Sequence, residues 1–107
     1  MFGEVLKGHL DLLLLAVLES GPAHGYAIIE LLRERSGGTF DLPEGTIYPA
    51  LHRLEGDGLL SSTWSEDAAR RRRIYCLTLK GRQVLARRQD EWQQFARAVN
   101  ATVGIEP

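Results

Sequence analysis

A mainly α-helical chain with one small β-hairpin and a long last helix is what this sequence predicts, and three stretches carry the prediction. Leu42 to Gly56 puts its apolar residues at helical spacing on one side only. Leu59 to Trp64 and Arg72 to Leu77 read as two antiparallel strands, with Ser65 to Arg71 as the turn between them. Leu79 to Val103 then keeps one apolar stripe over its whole length. A short one-faced helix, a hairpin with a basic tip and a long helix, in that order, are the layout of a winged helix-turn-helix with a C-terminal extension.

The first helix is expected from about Lys7 to Glu19, stopped by Ser20, Gly21 and Pro22. Leu10, Leu13, Leu14, Val17 and Leu18 make one face, and Leu12 and Leu15 lie on another. A helix apolar nearly all round needs partners on more than one side. The second helix is expected from about His24 to Arg35, ended by Ser36, Gly37 and Gly38, with Ile28, Leu31 and Leu32 inward. Thr39 to Leu42 alternates and reads as one short strand. The third helix starts near Gly45, because Pro49 is tolerated only in a first turn.

On the third helix Ile47, Leu51 and Leu54 share one side, with Ala50 beside them. Gly45, Pro49, His52, Arg53 and Gly56 fall opposite, flanked by Thr46 and Tyr48. Small residues let a helix approach a surface closely, and His52 and Arg53 project from it. A helix that reads a major groove needs this shape. Thr78 is a plausible N-cap for the last helix. At about 1.5 Å per residue that helix is about 37 Å long, against a radius of roughly 13 Å for a compact domain of this size. Its stripe of Leu85, Trp92, Phe95, Ala96, Val99 and Val103 therefore runs past the domain it belongs to. Together with Leu12 and Leu15, these residues are expected to form the interface of a two-fold dimer.

The chain has 107 residues, and 44% of them are apolar, enough for one packed unit. It divides into residues 1–78, the winged helix-turn-helix, and residues 79–107, the dimerising helix and tail. Its longest apolar run, Leu12 to Leu18, is too short to span a bilayer, and no leader precedes it. A soluble, unexported, cytoplasmic protein is expected. Cys76 is the only cysteine, which excludes an internal disulfide. Net charge is −1, but eight basic and no acidic residues fall between Arg70 and Arg88, while the other 88 residues carry five basic and fourteen acidic. One basic region on an acidic molecule is an electrostatic footprint for nucleic acid; a solvated charged turn is the plainer alternative. The three histidines are too scattered for a helix-borne metal motif. No nucleophile–base pair, carboxylate pair or phosphate-cradling glycine loop stands out, so no enzyme, cofactor or metal is expected.

The ordered set of Gly25 and Tyr26, Glu44 to Glu55, Gly58 and Leu59, Trp64, the arginine run before Tyr75, and Leu77 to Gly81 resembles the PadR family of bacterial transcriptional regulators. It covers Leu6 to about Val99 and is similar to the short subfamily, with one dimerising helix after the winged domain. Gly56 stands where charged residues are more usual, and Cys76 where a second aromatic is. The resemblance implies a dimer that binds a pseudo-palindromic double-stranded DNA operator, represses genes and lets go when a small-molecule or ion effector binds. It implies phosphate contacts from the hydroxyls of Thr46 and Tyr48; with Tyr26, Pro49, His52, Arg53 and Arg70, Arg71, Arg72 and Arg73 these make the expected DNA-binding set. Alternatives stay open at several of these: Tyr48 packing on the wing, Tyr26 in a structural role, His52 and Arg53 touching phosphates alone. Trp92 is either interface core or, as in some relatives, a platform for flat aromatic ligands. The competing functions are a winged helix used for protein contact and a metal-responsive version of the same repressor.

Overall fold

The computed structural model describes residues 3–66 and 69–105. Four helices surround a small sheet: α1 (Gly3–Leu18), β1 (Ala23–His24), α2 (Gly25–Arg35), α3 (Glu44–Gly56), β2 (Leu60–Trp64), β3 (Arg73–Leu77) and α4 (Leu79–Val103). The sheet order is β1-β3-β2, both pairings antiparallel, with Trp64 opposite Arg73 and His24 opposite Ile74. The third strand was not anticipated. Thr39 to Leu42, read as a strand, has no ladder partner and runs as irregular chain between α2 and α3. Two residues just before α2 take the place beside β3 instead, and alternation over four residues is too short to tell the two segments apart.

The core is made where α1, α2 and α3 meet over the sheet. Leu14, Leu18, Ile28, Ile47, Leu51, Leu54, Leu60, Tyr75 and Leu85 are all sealed from water. Arg35 closes the corner between α1 and α2 by donating to the Ala16 carbonyl and to Ser20 Oγ. The third helix begins one residue before Gly45, which leaves Pro49 past the first turn. The carbonyl that loses a helical donor there is that of exposed Gly45, where water can replace it.

Two helix junctions explain how the wing is set. Thr78 caps α4 by accepting from the Gly81 amide at 3.0 Å, and its hydroxyl donates to the Gly58 carbonyl. Gly81 itself lies so close to the end of α3 that an added Cβ would sit 2.1 Å from the Leu59 carbonyl oxygen. At the other end of the sheet, a Cβ on Gly25 would strike the Tyr48 ring within 2.4–2.6 Å. Glycine at 25 thus lets Tyr48 lie across the start of α2.

The first helix starts four residues earlier than the sequence suggested, and its faces divide differently. Leu15 joins Leu10, Leu14, Val17 and Leu18 in the core, fully buried. Leu13 is left half-buried with Leu12 and Ala16 on the opposite side. Leu85 is likewise 1% exposed inside the domain. Two of the three leucines expected at an interface, Leu15 and Leu85, are therefore already spent on the chain's own core, Leu85 because α4's first two turns pack on it, whereas Leu12 stays partly exposed. Beyond those turns α4 meets Glu19, at the end of α1, through Gln89 and His9 through Trp92, and then extends past the domain: the molecule measures 54 × 28 × 21 Å, and Trp92, Phe95, Val99 and Val103 are 39–60% exposed. Ala96 lies among them, half-buried. No helix among the described residues is long and apolar enough to cross a membrane.

Candidate nucleic-acid interface

The outer face of α3 emerges as the sequence suggested at most positions. Gly45, Pro49, His52 and Gly56 are exposed, opposite the buried Ile47, Ala50, Leu51 and Leu54. Thr46 is half-buried on one flank and Tyr48 on the other. Burial, then the nearby Glu44 carboxylate, pushes the Tyr48 hydroxyl above its ordinary pKa, so it stays protonated as a donor. Tyr26 is 55% exposed beside it, and a hydrogen bond to Glu44 raises its pKa too.

Arg53 departs from expectation. Its side chain, 52% exposed, forms a two-pronged pair with Asp11 of α1, Nη2 to Oδ1 at 2.7 Å and Nη1 to Oδ2 at 2.9 Å. The wheel position explains this: Arg53 sits on the flank of α3 that faces α1, and a planar guanidinium matches a carboxylate better than any other partner in reach. On the other flank Glu55 accepts from Ser62 and lies 3.8 Å from Arg73. The third helix is thus tied to α1 on one side and to the wing on the other, which fixes its pitch on the domain.

The Arg53 hydrogen bonds hold the Asp11 carboxyl below its ordinary 3.8, against the opposing effect of burial. A depressed folded-state pKa means stability present above the unfolded value and lost as pH falls through the folded one. Asp11→Asn is therefore expected to cost about 1 kcal/mol at neutral pH, discounted because the Arg53 side chain is 52% exposed. The cost should shrink as pH falls below 4, measured by urea unfolding across pH 3–7.

The wing is organised around Trp64. Its indole is half exposed at the end of β2, and two guanidiniums stack on it: Arg71 at 4.7 Å and Arg73 at 5.1 Å from the ring centre. Stacking of this kind contributes about 0.5–1 kcal/mol at an exposed site and holds both guanidiniums on the indole. Ser65 holds the base of the turn, its amide bonded to the Arg72 carbonyl at 2.7 Å. Asp67 and Ala68, part of the expected Ser65–Arg71 turn, lie outside the described residues, as do the last two residues of the chain. Arg70, Arg71, Arg72 and Arg73 share a cleft of about 290 Å³ with His24, Tyr26 and Tyr48. The fold thereby gathers the suggested tyrosines and arginines at one place, beside the exposed face of α3.

Three participants were not assigned from the sequence: Asp11, Glu55 and His24. Nothing in local spacing pairs Asp11 with a residue 42 positions away. Glu55 and His24 needed the sheet register, which pairs Trp64 with Arg73 and His24 with Ile74.

A second feature lies on the far side of the domain. The Trp92 ring meets His9 of α1 edge to face at 4.9 Å, with Phe95 6.0 Å beyond. A groove of about 520 Å³ runs there between α1 and α4, walled by Val5, Leu6, Leu12, Leu13, Phe40 and Trp92.

The arrangement has counterparts of known structure. A transcriptional regulator from Clostridium thermocellum superposes with a TM-score of 0.84 at 28% identity, covering 92% of this chain and 96% of that one. A PadR family transcription regulator from Clostridium difficile gives 0.80 at 34% identity, covering 89% and 98%. In sequence, the transcriptional regulator Rv3488 of Mycobacterium tuberculosis is 41% identical over 69 residues, 64% of each protein. The profile of the PadR-like transcriptional regulator family matches residues 14–87, from the middle of α1 through the wing into α4. This chain belongs to the PadR-like family of transcriptional regulators, and its fold is the family's winged helix.

Proposed function

We propose that this regulator is a two-fold dimer that binds a pseudo-palindromic DNA operator in the cytoplasm and represses the adjoining genes until an effector releases it. The observation that carries the reading is the single surface formed by the small-residue face of α3 and the arginines stacked on Trp64. A small-faced helix fits a major groove, and the wing arginines then lie along the flanking backbone. Phosphate contacts fall to Thr46, Tyr48, Tyr26 and the wing. Base reading falls to His52, since Asp11 holds Arg53.

Dimerisation is supported by the exposed stripe of Trp92, Phe95, Val99 and Val103 together with Leu12 and Leu13 of α1. A second copy related by a two-fold axis is the economical cover for both. An effector seated in the groove beside His9 and Trp92 would change the angle between the α4 helices and so the spacing of the two α3 helices.

Selection of bound sequences from a random DNA pool tests the reading. Two half-sites related by a dyad, with centres roughly 34 Å apart or a multiple of it, are expected. His52→Ala should flatten preference at one symmetric pair of positions, by about 1–3 kcal/mol if the contact is a good one. Enrichment of no motif, or of a motif without dyad symmetry, would contradict it.

A further inference from the structure

His24 is asked to accept two hydrogen bonds at once. Its Nδ1 lies 3.3 Å from the Ala27 amide, where it caps the start of α2, and its Nε2 lies 2.9 Å from Arg72 Nη1. Both opposing groups can only donate. A neutral imidazole offers one acceptor nitrogen and an imidazolium none. The two contacts therefore exclude each other, and the shorter is the one to Arg72.

We propose that His24 is a positioning residue for Arg72, holding that guanidinium at the mouth of the wing cleft in the free protein and taking the Ala27 amide in exchange when Arg72 moves to a DNA phosphate. The proposal rests on the DNA-binding reading above. While Arg72 is held, Nδ1 carries the proton and Nε2 accepts; once Arg72 leaves, at pH 8 Nε2 carries it and Nδ1 caps Ala27, and toward pH 6 the freed ring takes a second proton and gives up that cap. The structure supplies the rest of the setting. β1 pairs with β3 at this point, His24 opposite Ile74, so the ring is anchored two residues from the arginine it holds. Asn or Asp, the stronger caps, offer only an acceptor close to the backbone; histidine adds a second nitrogen farther out on the ring.

The same geometry gives DNA binding a dependence on pH. The charged and titratable groups around the ring are Arg72 with Arg70, Arg71 and Arg73 from the wing, Tyr26 and Glu30 from α2, and Tyr48 from α3. Burial first, then Arg72, lowers the His24 pKa from 6.5, while Glu30 acts the other way. DNA draws Arg72 off the ring and brings phosphate anions to the cleft, and both changes favour the imidazolium. A group with a depressed pKa in the free protein and a higher one in the complex takes up a proton on binding. Affinity should then rise as pH falls from 8 toward 6.

Three variants separate the roles. His24→Asn keeps an acceptor for Ala27 but does not reach Arg72. His24→Gln keeps a longer acceptor that does not titrate. Arg72→Ala removes the competing donor. Nitrogen-15 NMR of the His24 ring at pH 8, without DNA, should show the proton on Nδ1 in the native protein and on Nε2 in Arg72→Ala. The same tautomer in both would overturn the proposal while leaving the DNA-binding reading intact. On operator DNA, native affinity should gain roughly three- to tenfold more than that of either His24 variant between pH 8 and pH 6. Each His24 variant is compared with the native protein at the same pH, so the difference is the readout. His24→Asn should melt no lower than the native protein and still lose that difference. Equal pH dependence in the native protein and both His24 variants would overturn the proposal. Absence of DNA binding by the native protein at every pH would overturn the DNA-binding reading, and this proposal with it.

Discussion

Glutamate at both Phe95 and Val99 is expected to turn the proposed two-fold dimer into folded monomers. Each side chain is exposed on the single chain, at 57% and 39%, so the charge costs the monomer little. In a dimer the same positions would be covered. Removing each buried Phe or Val from the interface costs about 1.5–3 kcal/mol, twice over by symmetry, and every new carboxylate must be desolvated without a partner. At about 1.4 kcal/mol per tenfold, dimer affinity should fall by at least about a thousandfold. Light scattering over a concentration series, with circular dichroism to confirm that the helices persist, reads the result. A dimer that survives both changes would place the interface elsewhere on the molecule.

Gly81→Ala should produce the largest loss of stability from a single methyl group. The new carbon would lie 2.1 Å from the Leu59 carbonyl oxygen and 3.3 Å from Leu77 Cδ2. The first neighbour is backbone, between the end of α3 and β2, and cannot rotate away. Relief requires α4 to shift off the turn that its cap anchors through Thr78 and Gly58. Overpacking of this kind costs about 3 kcal/mol, which for a chain of this size lowers the melting temperature by more than about 10 °C. Thermal unfolding of the variant beside the native protein measures it. The wing should loosen as well, since β3 runs directly into that cap.

The order and type of the helices were legible because each carries a distinct apolar pattern and a clear stop. Thr78 as the cap of α4 followed from residue type alone and is seen accepting from Gly81. What sequence reasoning assigned differently depended on contacts far apart in the chain. Arg53 lies on the polar side of its own helix, and nothing within Leu42 to Gly56 shows that Asp11 stands opposite. Leu15 and Leu85 carry the same stripe signal as true surface positions, since periodicity gives a direction on the helix but not how far the neighbouring domain extends along it. Thr39 to Leu42 alternates as a strand does, yet a strand needs an edge to pair with, and β1 holds the free edge of β3. The arginine run was visible as charge; that two of its guanidiniums stack on Trp64 was visible only once the hairpin register set Trp64 opposite Arg73.

α3 and the wing are proposed to form one DNA-binding surface. The most direct test is the dependence of DNA affinity on salt, compared between the native protein and Arg71→Ala/Arg72→Ala. Each phosphate contact contributes about 0.9 to the slope of log affinity against log salt. Loss of both arginines should lower the slope by up to about 1.8 per subunit and weaken every sequence alike, leaving the preferred motif unchanged. A slope identical to that of the native protein would show that the wing does not touch DNA, and the surface assigned to it would have to serve another partner.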